Sequence, residues 1–185
     1  MNRGHTVGYF SSYDRGLECL LDMWPEIKKQ VPDATLTIAY GWNTYDSVHK
    51  HDPAKMKWKW QMIRKMHDVG AKEVGRLNHE DLAKLMKTIK VWCYPTEFTE
   101  IHCITALKAQ EAGCVPVTTD VGALKETVQF GDKLVTDDIY TNKEAQKMFI
   151  GMVVADLLQD KVEVKPVPNT DWADVAISWN EVLSA

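Results

Sequence analysis

Residues 89–117 read IKVWCYPTEFTEIHCITALKAQEAGCVPV, and this stretch decides the fold class. It opens with an apolar run of β-branched and aromatic residues that predicts a buried strand. A polar loop over 95–102 follows, and the spacing of apolar residues then predicts a helix over 103–112, which Gly113 ends. Residues 114–118 form a further apolar run and predict the next strand. A strand, a helix and a strand in this order favour a right-handed βαβ unit with two parallel strands.

The same alternation extends in both directions along the chain. Residues 43–60 are the least regular stretch and predict a long loop that leads into a helix ending near Asp68. Alternating strands and helices predict an α/β fold, a Rossmann-like doubly wound parallel sheet, with residues 1–185 as one domain. Ligands of such sheets bind beyond the carboxyl ends of the strands, so we expect the loops at that edge to line the site. The further strands are predicted over 6–10, 34–40, 72–75 and 133–135, and the further helices over 17–27, 80–87, 123–129, 141–158 and within 166–185.

The composition excludes several classes of protein. The 185 residues carry 22 basic and 26 acidic side chains, a formal net charge of −4, and 45% of them are hydrophobic. These values exclude a disordered or collagen-like chain and argue against binding of nucleic acid through bulk positive charge. No apolar run approaches the ~20 residues that span a bilayer, and no signal-peptide segment follows Met1. A cytoplasmic location without a transmembrane segment is therefore expected.

Four tryptophans stand out from this composition. Trp58 and Trp60 alternate with lysines and could stack on nucleobases, but the net charge favours packing of this segment on the domain's own sheet. Trp172 and Trp179 are seven residues apart on the predicted terminal helix, so they share one face. We expect that face to pack into the core or against a neighbouring domain.

The four cysteines are typical of a reducing compartment. They are widely spaced and lack the C-x-x-C or Cys–His spacing of structural metal sites. Cys19, Cys93 and Cys114 lie in apolar segments and are expected to be buried. Cys103 follows His102 in the polar loop, but no third residue nearby would orient such a pair, so a Cys–His nucleophile is disfavoured.

The turn between the first predicted strand and helix, residues 11–16, reads SSYDRG. Hydroxyls and backbone N–H groups at a helix N-terminus favour an anion, and Arg15 adds a guanidinium that grips phosphate oxygens in bidentate fashion. Many such turns use Ser or Asp only to cap the helix. Taken alone, the segment leaves capping as the simpler interpretation.

The loop over 95–102 contains two carboxylates, Glu97 and Glu100, ahead of a helix whose N–H groups point toward it. Carboxylates there oppose the charge of a phosphate unless they face sugar hydroxyls, so the mixture indicates recognition of a polyol. The alternative is that both side chains only complement the helix dipole.

Several short segments recur along the chain in a fixed order: Arg15-Gly16-Leu17, Trp24-Pro25, residues 31–36, Gly75-Arg76, residues 80–85, residues 92–97, residues 113–117 and residues 122–128. In this order they resemble the C-terminal, nucleotide-sugar-binding half of retaining GT-B glycosyltransferases, of the glycosyl transferases group 1 type. The resemblance covers almost the whole chain.

The resemblance implies that the turn after the first strand binds the diphosphate of the donor. In the family, a basic residue before the Gly of this turn makes that contact, and here Arg15 precedes Gly16. A second basic residue usually lies earlier in the turn. Ser11 and Ser12 stand in that region here, so their hydroxyls are expected to take its place.

The resemblance also implies positions for the nucleoside and the sugar. Arg76 and Leu77, after the third strand, would lie near the nucleobase. The family carries two Glu separated by seven residues, the first beside the donor sugar and the second on the ribose. Glu100 matches the first position, but the second position holds Lys108. Glu111 lies almost one helical turn beyond Lys108. Backbone donors to the sugar and phosphate are implied for Ile101, His102, Cys103 and Ile104.

The implied reaction transfers a hexose from a nucleotide diphosphate sugar to a glycan, lipid or other acceptor. Arg15 and a helix N-terminus can stabilise the leaving diphosphate without a metal, and no Asp-x-Asp sequence occurs in a suitable loop, so we expect no metal site and no divalent cofactor. Glu100 and Arg15 are the expected catalytic residues. A complete enzyme of this type has a separate N-terminal acceptor-binding domain, so the isolated chain is expected to bind donor without efficient transfer.

Two other functions remain open at the level of the sequence. One is a stand-alone module that binds nucleotides or sugar phosphates for a partner protein. The other is half of a nucleotide-sugar epimerase or phosphorylase built on the same fold. The 11–16 turn and the Glu100 loop favour the transferase through the resemblance alone.

Overall fold

The sheet is parallel throughout, as the alternation of strands and helices predicts. The structure is a computed structural model that describes residues 3–160, 167 and 172–184, and the six strands found there pair in the order β3, β2, β1, β4, β5, β6. In this order the gap between the carboxyl ends of β1 and β4 is the switch point at which doubly wound sheets bind ligands. The strands are β1 (Thr6–Tyr9), β2 (Thr35–Ile38), β3 (Lys72–Glu73), β4 (Val91–Tyr94), β5 (Val115–Thr119) and β6 (Asp132–Leu134).

Helices cover both faces of this sheet, because right-handed crossovers place them on opposite sides when the chain reverses direction at β1. On one face α1 contacts α3 and α7, and on the other α5 contacts α6. This arrangement confirms the predicted Rossmann-like, doubly wound fold. The helices of the described residues are α1 (Leu17–Gln30), α2 (Asn43–His49), α3 (Pro53–Asp68), α4 (His79–Met86), α5 (Ile104–Glu111), α6 (Leu124–Thr127), α7 (Lys143–Leu158) and α8 (Trp172–Leu183).

The core lies between the sheet and α1 and α7. The apolar residues of α1 recur at helical spacing, and Leu17, Leu20, Trp24 and Ile27 are all buried as that spacing predicts. Every residue of β4 is buried, as in strands covered on both faces. Burial of each large apolar side chain contributes roughly 1.5–3 kcal/mol, so the central strands are held firmly where the switch point is formed.

The loop predicted over 43–60 is wrong in part, because residues 43–49 form α2. Asn43, Thr44, Asp46 and Ser47 are weak helix formers, and none of the residues of α2 is buried, so the sequence shows no apolar periodicity there. Tertiary contacts hold the helix instead. Lys59 Nζ lies 2.6 Å from Asp46 Oδ1, and aromatic rings of this segment pack on α3.

The predicted terminal helix corresponds to α8, and residues 166, 168–171 and 185 of the prediction lie outside the described residues. Trp172 is 87% exposed and Trp179 is 60% exposed, so the expectation that they pack into the core is wrong. Packing against a neighbouring domain stays a prediction. Among the described residues, no helix is both long enough and apolar enough to cross a bilayer.

Candidate functional site

Two loops meet at the switch point and bring the two predicted catalytic residues together. Arg15 lies on the turn between β1 and α1, and its guanidinium is 3.8 Å from Glu100 Oε1 on the loop after β4. The guanidinium also stacks 3.7 Å above the centre of the Phe98 ring. The side chain of Glu100 is 11% exposed and that of Arg15 is 38% exposed, so the cation faces the open edge of the site.

Glu100 has a second partner, Tyr94, which the sequence analysis did not identify. The Tyr94 hydroxyl donates to Glu100 Oε1 at 2.6 Å and accepts from Ser11 Oγ at 3.2 Å. Burial of Tyr94 and this bond to the carboxylate raise the pKa of its hydroxyl far above the usual value, so it stays protonated and donates. The available signal was weak: an aromatic residue at the last position of a buried strand, next to the loop that carries the site.

Glycine lets the backbones of the site loops touch. Gly16 has a φ of 111°, and a Cβ there would lie 2.1 Å from the carbonyl oxygen of Pro95. Gly122 has a φ of 57°, and its Cβ would lie 2.6 Å from the carbonyl oxygen of Glu100. The next residue, Ala123, donates its backbone N–H to that same oxygen at 2.8 Å. The turn after β1 and the loop after β5 therefore clamp the Glu100 loop.

Buried tyrosines hold the turn that carries Arg15. Tyr9, at the end of β1, donates to the carbonyl of Ser12 at 2.7 Å, and Tyr13 donates to Glu73 at 2.8 Å. Ser12 Oγ donates to Asp14 Oδ1 at 2.6 Å. The hydroxyl protons of Ser11 and Ser12 are thus both bonded within the protein, and a phosphate would have to displace those partners to use them.

The helices that begin at the switch point lack side-chain caps. Among the described elements, α1 and α5 begin without a side-chain cap, as do the short helices α2 and α6. In contrast, Asp52, Asn78 and Asn142 cap α3, α4 and α7. Uncapped N–H groups and the positive end of the dipole favour an anion near such helix ends. Arg15 lies beside the N-terminus of α1, so the capping interpretation of residues 11–16 fails for this helix.

A recess of about 370 Å³ opens beside these loops, within the range of roughly 300–1,000 Å³ for small-molecule pockets. Residues that follow β1, β2 and β3 line this cavity together with residues of α5, whereas, among the described residues, none from the loops after β4 and β5 does. The predicted residues brought together there are Arg76, Leu77, Ile104 and Lys108, and they are joined by Phe10, Ala39, Tyr40, Thr44, His79, Leu82 and Thr105.

Lys108 rather than Glu111 lines this recess. Lys108 Nζ lies 2.8 Å from His79 Nδ1, at the start of α4. Glu111 does not line the recess, and it accepts the backbone N–H of Val167 at 3.1 Å. Sequence reasoning missed His79, because its partner is far away along the chain.

The remaining predicted residues lie around the start of α5. Ile101 is 94% exposed, and His102 lines a neighbouring groove between α4, α5, α6 and α8. Cys103 is buried at the N-terminus of α5, where desolvation raises the pKa of its thiol to about 11. A thiol held in this protonated form is a poor nucleophile, which agrees with the sequence analysis. Glu97 Oε1 accepts the backbone N–H of Tyr140 at 2.8 Å.

A family model described as glycosyl transferases group 1 matches residues 4–160. The chain belongs to this family. A comparison with curated proteins found no match. Solved structures similar to this group 1 chain are GT-B glycosyltransferases, at identities that establish the shared fold.

Three of these structures show the extent of the similarity. The pneumococcal O-GlcNAc transferase GtfA in complex with UDP and GlcNAc superposes with a TM-score of 0.71 at 12% identity, over 99% of this chain and 36% of its own. Anabaena Alr3699/HepE in complex with UDP and glucose superposes with a TM-score of 0.63 at 15% identity, over 98% of this chain and 48% of its own. The catalytic domain of starch synthase IV from Arabidopsis thaliana, bound to ADP and acarbose, superposes with a TM-score of 0.55 at 13% identity, over 100% of this chain and 38% of its own. The chain spans less than half the length of each of these three proteins.

Proposed function

We propose that the chain is the nucleotide-sugar-binding part of a retaining, metal-independent glycosyltransferase. In this proposal it binds a nucleotide diphosphate sugar whose hexose is transferred to a glycan, lipid or other acceptor. The observation that carries the proposal is the meeting of Arg15 and Glu100 at the β1–β4 switch point, 3.8 Å apart, beside the uncapped ends of α1 and α5.

Arg15 and Glu100 bind different parts of the donor. Arg15 pairs with the diphosphate, because its partly exposed guanidinium and the N-terminus of α1 favour an anion at the same place. Their charge stabilises the diphosphate as it leaves, without a divalent cation. Glu100, held by Tyr94, accepts hydrogen bonds from hydroxyls of the donor sugar. The described residues contain no group of three or more His, Cys, Asp or Glu that could hold a metal ion.

The nucleoside occupies the recess that contains Arg76, Leu77 and Lys108. UDP is present in the GtfA and HepE structures named above, and ADP in the starch synthase structure, which supports a nucleotide donor in this fold. We propose that a second, acceptor-binding lobe supplies the other wall of the site, and that the protein acts in the cytoplasm. The four cysteines are free thiols, as is usual in a reducing compartment.

Calorimetric titration of the chain with UDP-, GDP- and ADP-sugars, and with the matching nucleoside diphosphates, tests this proposal. We expect Arg15→Ala to lower the affinity for nucleoside diphosphates and for nucleotide sugars alike. The loss is roughly tenfold, because a charge-assisted contact to phosphate is removed. Glu100→Ala should lower the affinity for the nucleotide sugars only, because Glu100 binds the sugar and not the diphosphate.

Arg64→Ala is the matched control, since Arg64 is an exposed arginine on α3 that lines a different groove. It should bind every ligand as the parent does. The proposal is wrong if no nucleotide sugar binds, or if the Arg15 and Glu100 variants bind as well as the parent.

A further inference from the structure

A second cavity borders the turn between β1 and α1, and its lining residues differ from those of the recess described above. It encloses about 590 Å³, within the range of roughly 300–1,000 Å³ for small-molecule pockets. Tyr13, Asp14 and Gly16 of the turn line it, and the other walls come from α1, α2, α3 and the segment before α7. The proposed nucleoside and sugar positions do not account for this cavity.

The aromatic side chains of the lining each have their polar atom bonded within the protein. Tyr45 donates to the carbonyl of Lys55 at 3.0 Å, and Trp58 Nε1 donates to Glu18 Oε2 at 3.1 Å. The other two rings bond through their hydroxyls to a carboxylate and to a backbone N–H. Because the polar tips are engaged, the rings offer the cavity apolar surface in fixed orientations. The four aromatic residues are Tyr13, Tyr45, Trp58 and Tyr140.

Trp42 packs against three of these rings. The centre of its ring lies 4.7 Å from that of Tyr13, 5.5 Å from that of Tyr45 and 6.0 Å from that of Trp58. All three pairs are close to edge-to-face, a favourable geometry for aromatic rings. The aromatic surface is therefore formed before a ligand arrives, which lowers the ordering cost of binding.

Three carboxylates, those of Asp14, Glu18 and Asp22, supply the acceptors of the cavity. In the described part of the chain, the protein donates one or two hydrogen bonds to each of them. An ionised carboxylate accepts at about four positions. Each therefore keeps capacity for hydrogen-bond donors of a ligand.

Lysines offset much of the negative charge of these carboxylates. Lys65 Nζ lies 2.9 Å from Glu18 Oε1 and 2.8 Å from Asp22 Oδ1, and Lys55 lines the cavity itself. A cationic ligand would compete with Lys65 for the same oxygens. A neutral ligand with several hydroxyls avoids this competition, because each hydroxyl donates to a lone pair that is still free.

We propose that this cavity is a second carbohydrate site, which binds a neutral oligosaccharide outside the donor site. A pyranose has faces of C–H groups that pack on aromatic rings, and hydroxyls at its edge that donate to carboxylates. The rings and the carboxylates of the lining match these two features. The inference goes beyond the proposed function, since it concerns neither the donor nor the residues proposed to bind it.

The position of the cavity gives such a site a use in the proposed enzyme. Asp14 and Gly16 flank Arg15 in the chain, so an oligosaccharide held by the cavity lies beside the turn proposed to bind the diphosphate. It would keep a glycan close to the place of transfer and raise its local concentration there. This consequence rests on the proposed function, whereas binding of the oligosaccharide does not.

Calorimetric titration of the chain with maltohexaose, cellohexaose and chitohexaose tests the inference, because these neutral chains differ in linkage and substituents. We expect at least one of them to bind. Trp58→Leu and Tyr140→Leu each remove a flat ring and leave the charge of the cavity unchanged. Each should lower the affinity for that oligosaccharide about tenfold, and urea unfolding checks that each variant is folded.

Trp60→Leu is the matched control. Trp60 lies two residues from Trp58 on the same helix and is 61% exposed, but it lines a different groove. This variant should keep the parent's affinity for the oligosaccharide. An excess of UDP should not displace the oligosaccharide, because the two ligands occupy different cavities.

The outcomes separate this inference from the proposed function. The inference is overturned if none of the three oligosaccharides binds, if both leucine variants at Trp58 and Tyr140 bind as the parent does, or if UDP displaces the oligosaccharide. It is also overturned if tetramethylammonium binds in a way that depends on Trp58 while the oligosaccharides do not, since the cavity then takes organic cations. Titration with nucleotide sugars reports on the proposed function alone, so either proposal can fail while the other stands.

Discussion

Tyr94 connects the core to the site at the scale of a single residue. Its ring is fully buried between Tyr9 and Trp92, so the position of its hydroxyl is set by the sheet and not by the loop. The 2.6 Å bond from that hydroxyl holds Glu100 Oε1 next to Arg15. We infer that Tyr94 is a positioning residue, which acts on the donor sugar only through Glu100.

Tyr94→Phe removes this bond and keeps the buried ring. We expect the affinity for UDP-glucose to fall about fivefold, because Glu100 loses the hydrogen bond that positions it, while the affinity for UDP is unchanged. Calorimetric titration with both ligands measures the ratio.

Tyr9→Phe is the control, because it deletes an equally buried hydroxyl whose partner is the Ser12 carbonyl. It should leave the ratio of UDP-glucose to UDP affinity at the parent's value, even if both affinities change together. Equal ratios in the parent and in the Tyr94 variant would mean that Tyr94 serves stability alone.

The packing of α7 on the sheet contains a buried carboxylate, a feature that belongs to the scale of the element. Asp156 is 6% exposed, and its Oδ2 lacks a hydrogen-bond partner in the described part of the chain. Burial, and then the charge of Asp132, raise the pKa of Asp156 to about 6, although Lys90 acts against this. Lys90 Nζ instead donates to the carbonyl of Leu157, at the end of the helix, at 2.7 Å.

This carboxylate should make the stability of the domain depend on pH. Between about pH 4 and pH 6 the folded state keeps a proton that the unfolded state releases, so the free energy of unfolding should fall as the pH rises through this window. The loss is at most about 3 kcal/mol, from a pKa raised by roughly two units. Asp156→Asn should abolish the decrease and be more stable than the parent at pH 7 in urea unfolding. Asp160→Asn, an exposed carboxylate nearby, should keep the parent's profile.

The sequence predicts elements well where one physical signal dominates. β4 and α1 are apolar at the expected spacing because each buries a continuous surface, and both occur as predicted. α2 was missed because contacts with α3, and not its own composition, stabilise it. The burial predicted for Trp172 and Trp179 failed because an apolar face shows that a partner is needed without showing which one.

At the scale of the whole molecule, the topology explains what the sequence could and could not predict about the site. The strand order brings the loops after β1 and β4 together, so Arg15 and Glu100 could be paired from the resemblance and the switch-point rule. The contacts of Tyr94 with Glu100 and of His79 with Lys108 depend on side-chain directions that only tertiary packing sets. Sequence alone therefore predicts candidate site residues but not the residues that orient them.

The exposure of the site leads to the last prediction. Arg15 is 38% exposed and Ile101 is 94% exposed, so the switch point is open on the side away from the sheet. Transfer needs an acceptor held at bonding distance and water excluded, and an open edge provides neither. The chain of 185 residues should therefore bind UDP-glucose without transferring its sugar. Incubation with UDP-glucose and a mixture of oligosaccharide acceptors, followed by mass spectrometry, tests this. A glycosylated product that is absent with Arg15→Ala would show that this chain alone completes the catalytic site.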